Sequence, residues 1–258
     1  MLAVLGHRVL LHGRSEQKGT AALDAIRKQS PGSDVRFFKA DFASLGQVRT
    51  LAQQINAEIP RLDVLINNAG CSFFTRCETV DGNEATFAVN HLAPFLLTNL
   101  LLDKLRASAP ARIVNVASAA HRHAHLDFDD LMSTRRYRVM QVYARSKLAN
   151  ILFTRELAKR LSGTGVTANA LHPGVVRTHI AQNNAFARII GYLIMRAIAI
   201  PAAEGAKTSI YLATAPEVAG QAGGYYKECQ LTSPKPQALD DAHAKRLWEV
   251  SAKLVGLA

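Results

Sequence analysis

The chain has 258 residues, 48% of them apolar and 20% charged. That balance suits one globular domain spanning residues 1–258 and excludes a disordered, collagen-like or disulfide-stapled protein. The formal net charge is +11, but the basic residues are spread out. The densest run, Arg135-Arg136-Tyr137-Arg138, has no nucleic-acid motif beside it, so a solvated basic face is expected rather than a nucleic-acid partner.

Short β-branched runs alternate with helical patterns. Arg8 to Gly13 reads as a strand, and Ser15 caps a helix to about Lys28. Val35 to Lys39 is a second strand, and Ser44 caps a helix to about Glu58. Leu62 to Asn67 is a third strand. A long helical stretch runs from about Asn83 to Ala107, with an interruption expected at Pro94. Ala111 to Val116 is nearly all apolar, as in a parallel sheet covered on both faces.

An irregular segment rich in His and Asp follows, from Ala119 to about Met140. A helix carries Tyr143 and Lys147 to about Leu161. Gly165 to Leu171 is a strand halted by Pro173-Gly174. Apolar helical pieces fill 185–214, one more strand lies around Gly224 to Gln230, and a helix from Asp240 to Leu254 ends the series. Such alternation predicts a Rossmann-like, doubly wound α/β sheet.

The three cysteines, Cys71, Cys77 and Cys229, fit no metal-ligand or redox spacing. They argue for a reducing, cytoplasmic setting without a structural metal. His121, His123 and His125 alternate with no carboxylate pair nearby and read as a solvated loop rather than a metal cluster. No signal peptide is visible after Met1. The most apolar run, Ile189 to Ile200, is broken by Arg196 and is shorter than the roughly 20 residues a spanning helix needs. A soluble chain is expected.

Chemistry is concentrated in Tyr143-Ala144-Arg145-Ser146-Lys147. A phenol and an ammonium at i and i+4 share one helix face. The cation is expected to lower the phenol pKa from about 10 toward neutrality, giving a proton donor and acceptor for carbonyl–alcohol chemistry.

Several runs occur in one order: Asn67-Asn68-Ala69-Gly70 after a strand, Asn90-His91 in the next helix, Ser118 after Ile113 to Ala117, Tyr143-x-x-x-Lys147, then Pro173-Gly174-Val175-Val176-Arg177-Thr178. This set resembles the short-chain dehydrogenase/reductase family over nearly the whole chain. Ser146 to Phe153, His172 to Thr178 and Arg246 to Ser251 are similar to its retinol dehydrogenase-like branch.

The resemblance implies roles. Tyr143 is the acid/base, Lys147 lowers its pKa and binds the nicotinamide ribose, Ser118 bonds the substrate oxygen, and Asn90 holds a water in a proton relay. Asp41 and Phe42 contact adenine. Asn68, Ala69 and Gly70 line the adenosine ribose side. Pro173, Gly174, Val176 and Thr178 approach the carboxamide and phosphates. Where an acidic residue would select NAD(H), this chain has His12-Gly13-Arg14-Ser15. Arg14 therefore predicts NADP(H), with Lys18 assisting. The crowded apolar positions Phe186, Ile189, Ile190, Tyr192, Leu193, Ile194, Met195 and Ile198 suggest a lid over a lipophilic aldehyde, ketone or alcohol. Helices around Phe95 to Leu105 and Leu148 to Leu161 are pairing surfaces in many relatives, which implies a homodimer.

The family begins with a strand, a Thr-Gly-x-x-x-Gly-x-Gly loop and a helix that holds the pyrophosphate. Leu2 to Arg8 resembles only the end of that helix, so the sheet is expected to lack its central first strand and the phosphate loop. The strands at Val9 and Leu65 must then close up or leave backbone groups unpaired. A second reading stays open: a non-catalytic protein that uses the dehydrogenase scaffold for nucleotide sensing or protein contacts.

Overall fold

The computed structural model describes residues 1–175 and 200–258. Strand β1 (Val9–Gly13), helix α1 (Glu16–Gln29), β2 (Val35–Lys39), α2 (Leu45–Glu58) and β3 (Val64–Asn67) come first. The two helices start where the sequence places them: the Ser15 hydroxyl accepts from Lys18 N, and the Ser44 hydroxyl from Gln47 N. Next are α3 (Ala85–Phe87), a π-helical turn at Ala88–Leu92, α4 (Ala93–Ala107), β4 (Ala111–Val116) and α5 (Val139–Arg160). The series ends with β5 (Val166–His172), α6 (Ala202–Thr214), β6 (Tyr225–Lys227), β7 (Gln230–Thr232) and α7 (Asp241–Leu254). Asp240 caps α7 by accepting from His243 N.

Five strands form one sheet in the order β3-β4-β5-β6-β7, parallel except for β7. Its two faces are covered separately. Ile113, Ala168 and Ala170 turn toward α4 and α5, whereas Val114, Val116 and Leu171 pack with Leu212 of α6 and Tyr226. This is the doubly wound, Rossmann-like α/β arrangement expected.

β1 and β2 form a separate parallel pair. β1 is not bonded to β3. In a parallel strand, alternate residues bond to opposite sides. Val9 N donates to Asp34 O and Arg112 N to Asp63 O, so Leu10, His12 and Val64 turn their backbone groups the other way. Both open edges line one cleft of about 3220 Å³. Of the two expected outcomes, the strands stay apart.

Three expectations need correction. The strand expected over Gly224 to Gln230 is an antiparallel hairpin, because Glu228 and Cys229 both take positive φ (53° and 62°). The interruption expected at Pro94 lies just upstream as the π-turn. Pro94 has no N–H to give the Asn90 carbonyl four residues back, and the widened turn relieves its ring. His121 is buried rather than solvated; His123 and His125 are exposed. Its ring Nδ1 lies 2.6 Å from Ser118 O, and its Nε2 accepts from Lys235 N.

Residues Ala85–Ala107 make one stretch, with mean hydropathy 1.4, long and apolar enough to cross a membrane, but 78% of its apolar window is buried inside the fold. It is a core helix.

At its start His91 is fully buried against Phe87, Phe95 and Phe153, with ring centroids 5.0, 6.0 and 6.0 Å away. Burial pushes its pKa down from 6.5 to about 4. The unfolded chain therefore takes up this proton first on acidification. The stability His91 allows is complete above about pH 6.5 and is lost as pH falls toward 4, on the order of 3 kcal/mol. Urea unfolding from pH 7 to 4 is expected to show this loss, and a His91→Gln variant a smaller one. Equal slopes would remove His91 from the acid response.

Candidate active site

Tyr143 and Lys147 lie one turn apart near the start of α5, whose inner face is buried from Ser146 onward. The Lys147 ammonium sits 5.7 Å from the Tyr143 ring centroid. It donates to Val116 O at 3.0 Å. Asn67, opposite Asn115, is the last β3 residue paired with β4, so the Val116 carbonyl has no strand partner on that side and is free to accept side chains. Ser118, two residues beyond β4, holds the Ala120 amide at 3.2 Å. Its side chain also reaches the phenol. Tyr143, Lys147 and Ser118 thus meet at the carboxyl end of the sheet, where open α/β folds place their sites.

The electrostatics differ from expectation. Burial pushes the Tyr143 pKa up, and hydrogen bonding from Ser118 only opposes the rise. The ammonium lies over the ring and is bonded to backbone, so burial rather than the cation sets the direction of the shift in this arrangement. Burial also pushes Lys147 down from 10.5 to about 8. At neutral pH the phenol keeps its proton and the amine keeps its charge.

Asn90 is fully buried, and its amide is committed to the protein. Oδ1 accepts from Cys71 N at 2.7 Å; Nδ2 donates to Cys71 O at 2.9 Å and to Ser146 Oγ at 3.0 Å. Ser146 donates to Tyr143 O at 2.7 Å. The Asn90 side chain therefore clamps the Gly70-Cys71 backbone to the helix that carries Tyr143 and Lys147. A Cβ on Gly70 would stand 3.3 Å from Lys147 Nζ and 3.7 Å from Asn90 Oδ1, so a side chain there crowds Lys147 and touches Asn90. Cys71 is pushed up to about 12 by burial and stays a neutral thiol.

The cofactor residues read from the sequence converge. Arg14, Asp41, Phe42, Asn68, Ala69, Gly70, Tyr143, Lys147, Pro173 and Gly174 all line the cleft, as does Ser118. Arg14 is exposed at the end of β1. The Asp41 carboxylate accepts from Ala43 N, and Phe42 stacks on His12 at 4.1 Å. Gly174 has φ +85°, and a Cβ there would meet Ile200 at 2.8 Å. Val176, Thr178 and the apolar lid positions from Phe186 to Ile198 lie outside the described residues. No glycine-rich turn against a helix N-terminus is found among the described residues, so nothing described cradles the pyrophosphate.

Sequence reading missed Ser146, the Cys71 backbone and a buried polar row. Asn67 Nδ2 donates to Thr98 Oγ1 and Asn115 Oδ1, Asn115 Nδ2 to Thr154 Oγ1, and Thr154 Oγ1 to Asn150 O, all at 2.7–2.9 Å. The signal was present: Asn67 and Asn115 are amides inside or ending apolar strands, and a buried amide must find partners.

The short chain dehydrogenase family model matches residues 1–188. With the site above, this places the chain in the short-chain dehydrogenase/reductase family, oxidoreductases acting on the CH–OH group. Within it the chain is retinol dehydrogenase-like. It is 44% identical to retinol dehydrogenase 14 of Mus musculus, covering 98% of this chain and 80% of that protein. It is also 44% identical to retinol dehydrogenase 13 of Homo sapiens, covering 99% and 79%. Among solved structures, a putative uncharacterized protein from Mycobacterium Paratuberculosis superposes with TM-score 0.78 at 30% identity, covering 99% of this chain and 86% of that one. The Pseudomonas aeruginosa RhlG/NADP active-site complex gives 0.66 at 26%, covering 87% and 86%.

Proposed function

We propose that the protein reduces a lipophilic aldehyde or ketone to its alcohol with NADPH, with Tyr143 as the proton donor. The observation that carries this reading is the meeting of Tyr143, Ser118 and Lys147 in the cleft that also holds the cofactor residues. The nicotinamide, when bound, supplies the hydride.

The rest is done by this chain. Ser118 and Tyr143 converge on the substrate oxygen, and the phenol releases its proton there as negative charge develops. A buried phenol with a raised pKa is held in the protonated form, the form needed for reduction. The Lys147 cation beside the ring stabilises the phenolate left behind. Asn68, Ala69 and Gly70 would lie along the adenosine ribose, and Asp41 and Phe42 beside the adenine. The relatives' names, retinol dehydrogenases 14 and 13, support a retinoid; a fatty aldehyde is the other lipophilic candidate. The test is turnover of retinaldehyde and a medium-chain aldehyde with NADPH; binding of NADPH without turnover on either would favour a non-catalytic sensor.

Arg14 supports the NADP(H) preference: its fixed cation lines the cleft, with no carboxylate in the His12 to Ser15 run. A guanidinium–phosphate pair is worth about 1.5–3 kcal/mol, or roughly 10- to 100-fold in affinity. Arg14→Ala is expected to weaken NADPH binding by about that factor while leaving NADH unchanged, as read by calorimetric titration. Equal effects on both nucleotides would remove Arg14 from 2′-phosphate recognition.

A further inference from the structure

Ser118 stands just past the paired part of β4. The Ala117 amide still donates to Leu171 O of β5, but the Ser118 carbonyl has turned into the short 3₁₀ turn Ala119–His123. Two donors from one residue meet that carbonyl: the His121 amide at 3.1 Å and the His121 ring Nδ1 at 2.6 Å. The other ring nitrogen, Nε2, accepts from Lys235 N at 3.1 Å. His121 is fully buried, with its ring edge-on to Tyr225 of β6 at 5.0 Å between centroids.

The partners fix the proton. Lys235 N–H can only donate, and Ser118 O can only accept. A neutral ring satisfies both in one form, with its hydrogen on Nδ1. Burial pushes the His121 pKa below its ordinary 6.5, so the ring is neutral at neutral pH and above. The same turn is fastened to the 233–237 segment at further points. Arg122 donates to Ser233 O at 2.8 Å, the Lys235 ammonium donates to Ala124 O, and Gln237 Nε2 lies 3.4 Å from His125 Nδ1. Of these contacts, the one that reaches back to Ser118 is the His121 ring.

We infer that His121 is a positioning residue for Ser118: its Nδ1–H locks the Ser118 carbonyl, and the 233–237 segment locks the ring. The Ser118 hydroxyl oxygen accepts from Ala120 N, which leaves the hydroxyl hydrogen to donate into the cleft. A donor held in place before negative charge develops on the substrate oxygen stabilises that charge without reorganising, and a misplacement of about 1 Å can cost up to ~100-fold in rate. This role rests on the part proposed for Ser118 in carbonyl reduction, but the lock itself can be observed without turnover.

The ring proton is read first, by NMR of the intact protein carrying isotope-labelled histidine, with His121→Asn used to assign the resonance. A hydrogen on Nδ1 is expected; a hydrogen on Nε2 would overturn the inference with no variant needed. His121→Asn and His121→Leu then separate positioning from packing. The two new side chains have the same branching, and both lose the ring and its bond from Lys235. Asn alone keeps a donor where Nδ1 stood. We expect kcat to fall about 10-fold in the Leu variant and to stay within about 3-fold of the parent in the Asn variant, with KM little changed in both. In a Ser118→Ala background the two variants should be equally slow. Hydrogen exchange of the Ala120 amide, which reports where the Ser118 hydroxyl stands, should quicken in the Leu variant and not in the Asn variant. Equal kcat and equal Ala120 exchange in folded Asn and Leu proteins would overturn the inference and leave His121 as core packing. A difference in Ala120 exchange between proteins that turn over no carbonyl would uphold the lock and instead reject the proposed reaction.

Discussion

Tyr143→Phe is expected to abolish carbonyl reduction while leaving the protein folded. The two side chains differ by one hydroxyl, and among the described residues that hydroxyl is the proton donor placed beside Ser118 in the cleft. Removing a positioned general acid costs about 10²–10⁴ in rate, and here it also removes one of two groups holding the substrate oxygen. We expect kcat to drop by about 10³ or more, read from NADPH absorbance with a lipophilic aldehyde. The fold should hardly notice. The ring stays in place, Ser118 keeps the Ala120 amide, and a single lost hydrogen bond is worth about 1 kcal/mol. NADPH affinity should change little, because Lys147 and the Asn68 to Gly70 turn are untouched. A Phe variant with more than a tenth of the parent rate would take Tyr143 out of the chemistry.

Most of this arrangement is legible in the sequence, because each part has a local cause. Ser15 and Ser44 mark two helix starts by capping, and both caps form. The β4 run is mostly apolar because both of its faces are covered. Tyr143 and Lys147 share a face through helix periodicity alone. Features set by distant partners are not legible. Nothing in Glu228-Cys229 announces a tight turn, since its left-handed backbone is usually signalled by Asn or Gly. His121 looks like loop in sequence and is buried because Lys235 and the Ser118 carbonyl meet its ring. The raised pKa of Tyr143 is hidden from the sequence for the same reason. Spacing shows that a cation is near the ring, but not that burial outweighs it or that the cation faces a carbonyl. The roles of Asn90 and Ser146 depend on the Cys71 backbone arriving from another element.

Lys147→Met separates function from stability and should move them in opposite directions. Met matches the length of the lysine stem and leaves no charge among groups that are nearly all buried; Lys147 is 3% exposed. Burial holds its pKa at about 8 instead of 10.5. A lysine depressed in this way gives the native state its full stability only above about pH 10.5. That stability is lost as pH falls toward 8, so at neutral pH the buried ammonium costs on the order of 3 kcal/mol. Val116 O keeps Asn150 as a donor when the amine is gone, so no acceptor is orphaned. The Met variant should therefore unfold at higher urea than the parent at pH 7, and the difference should shrink as pH approaches 10.

Its activity should behave oppositely. The phenolate formed when Tyr143 gives up its proton loses its cation, and kcat should fall by about 10²-fold or more. In the parent, kcat should decline as pH rises through about 8 and the ammonium is lost, whereas the residual rate of the variant should show no such limb. A variant that is slower and also less stable, with the alkaline decline intact, would mean that Lys147 holds the helix in place and that some other group supplies the charge.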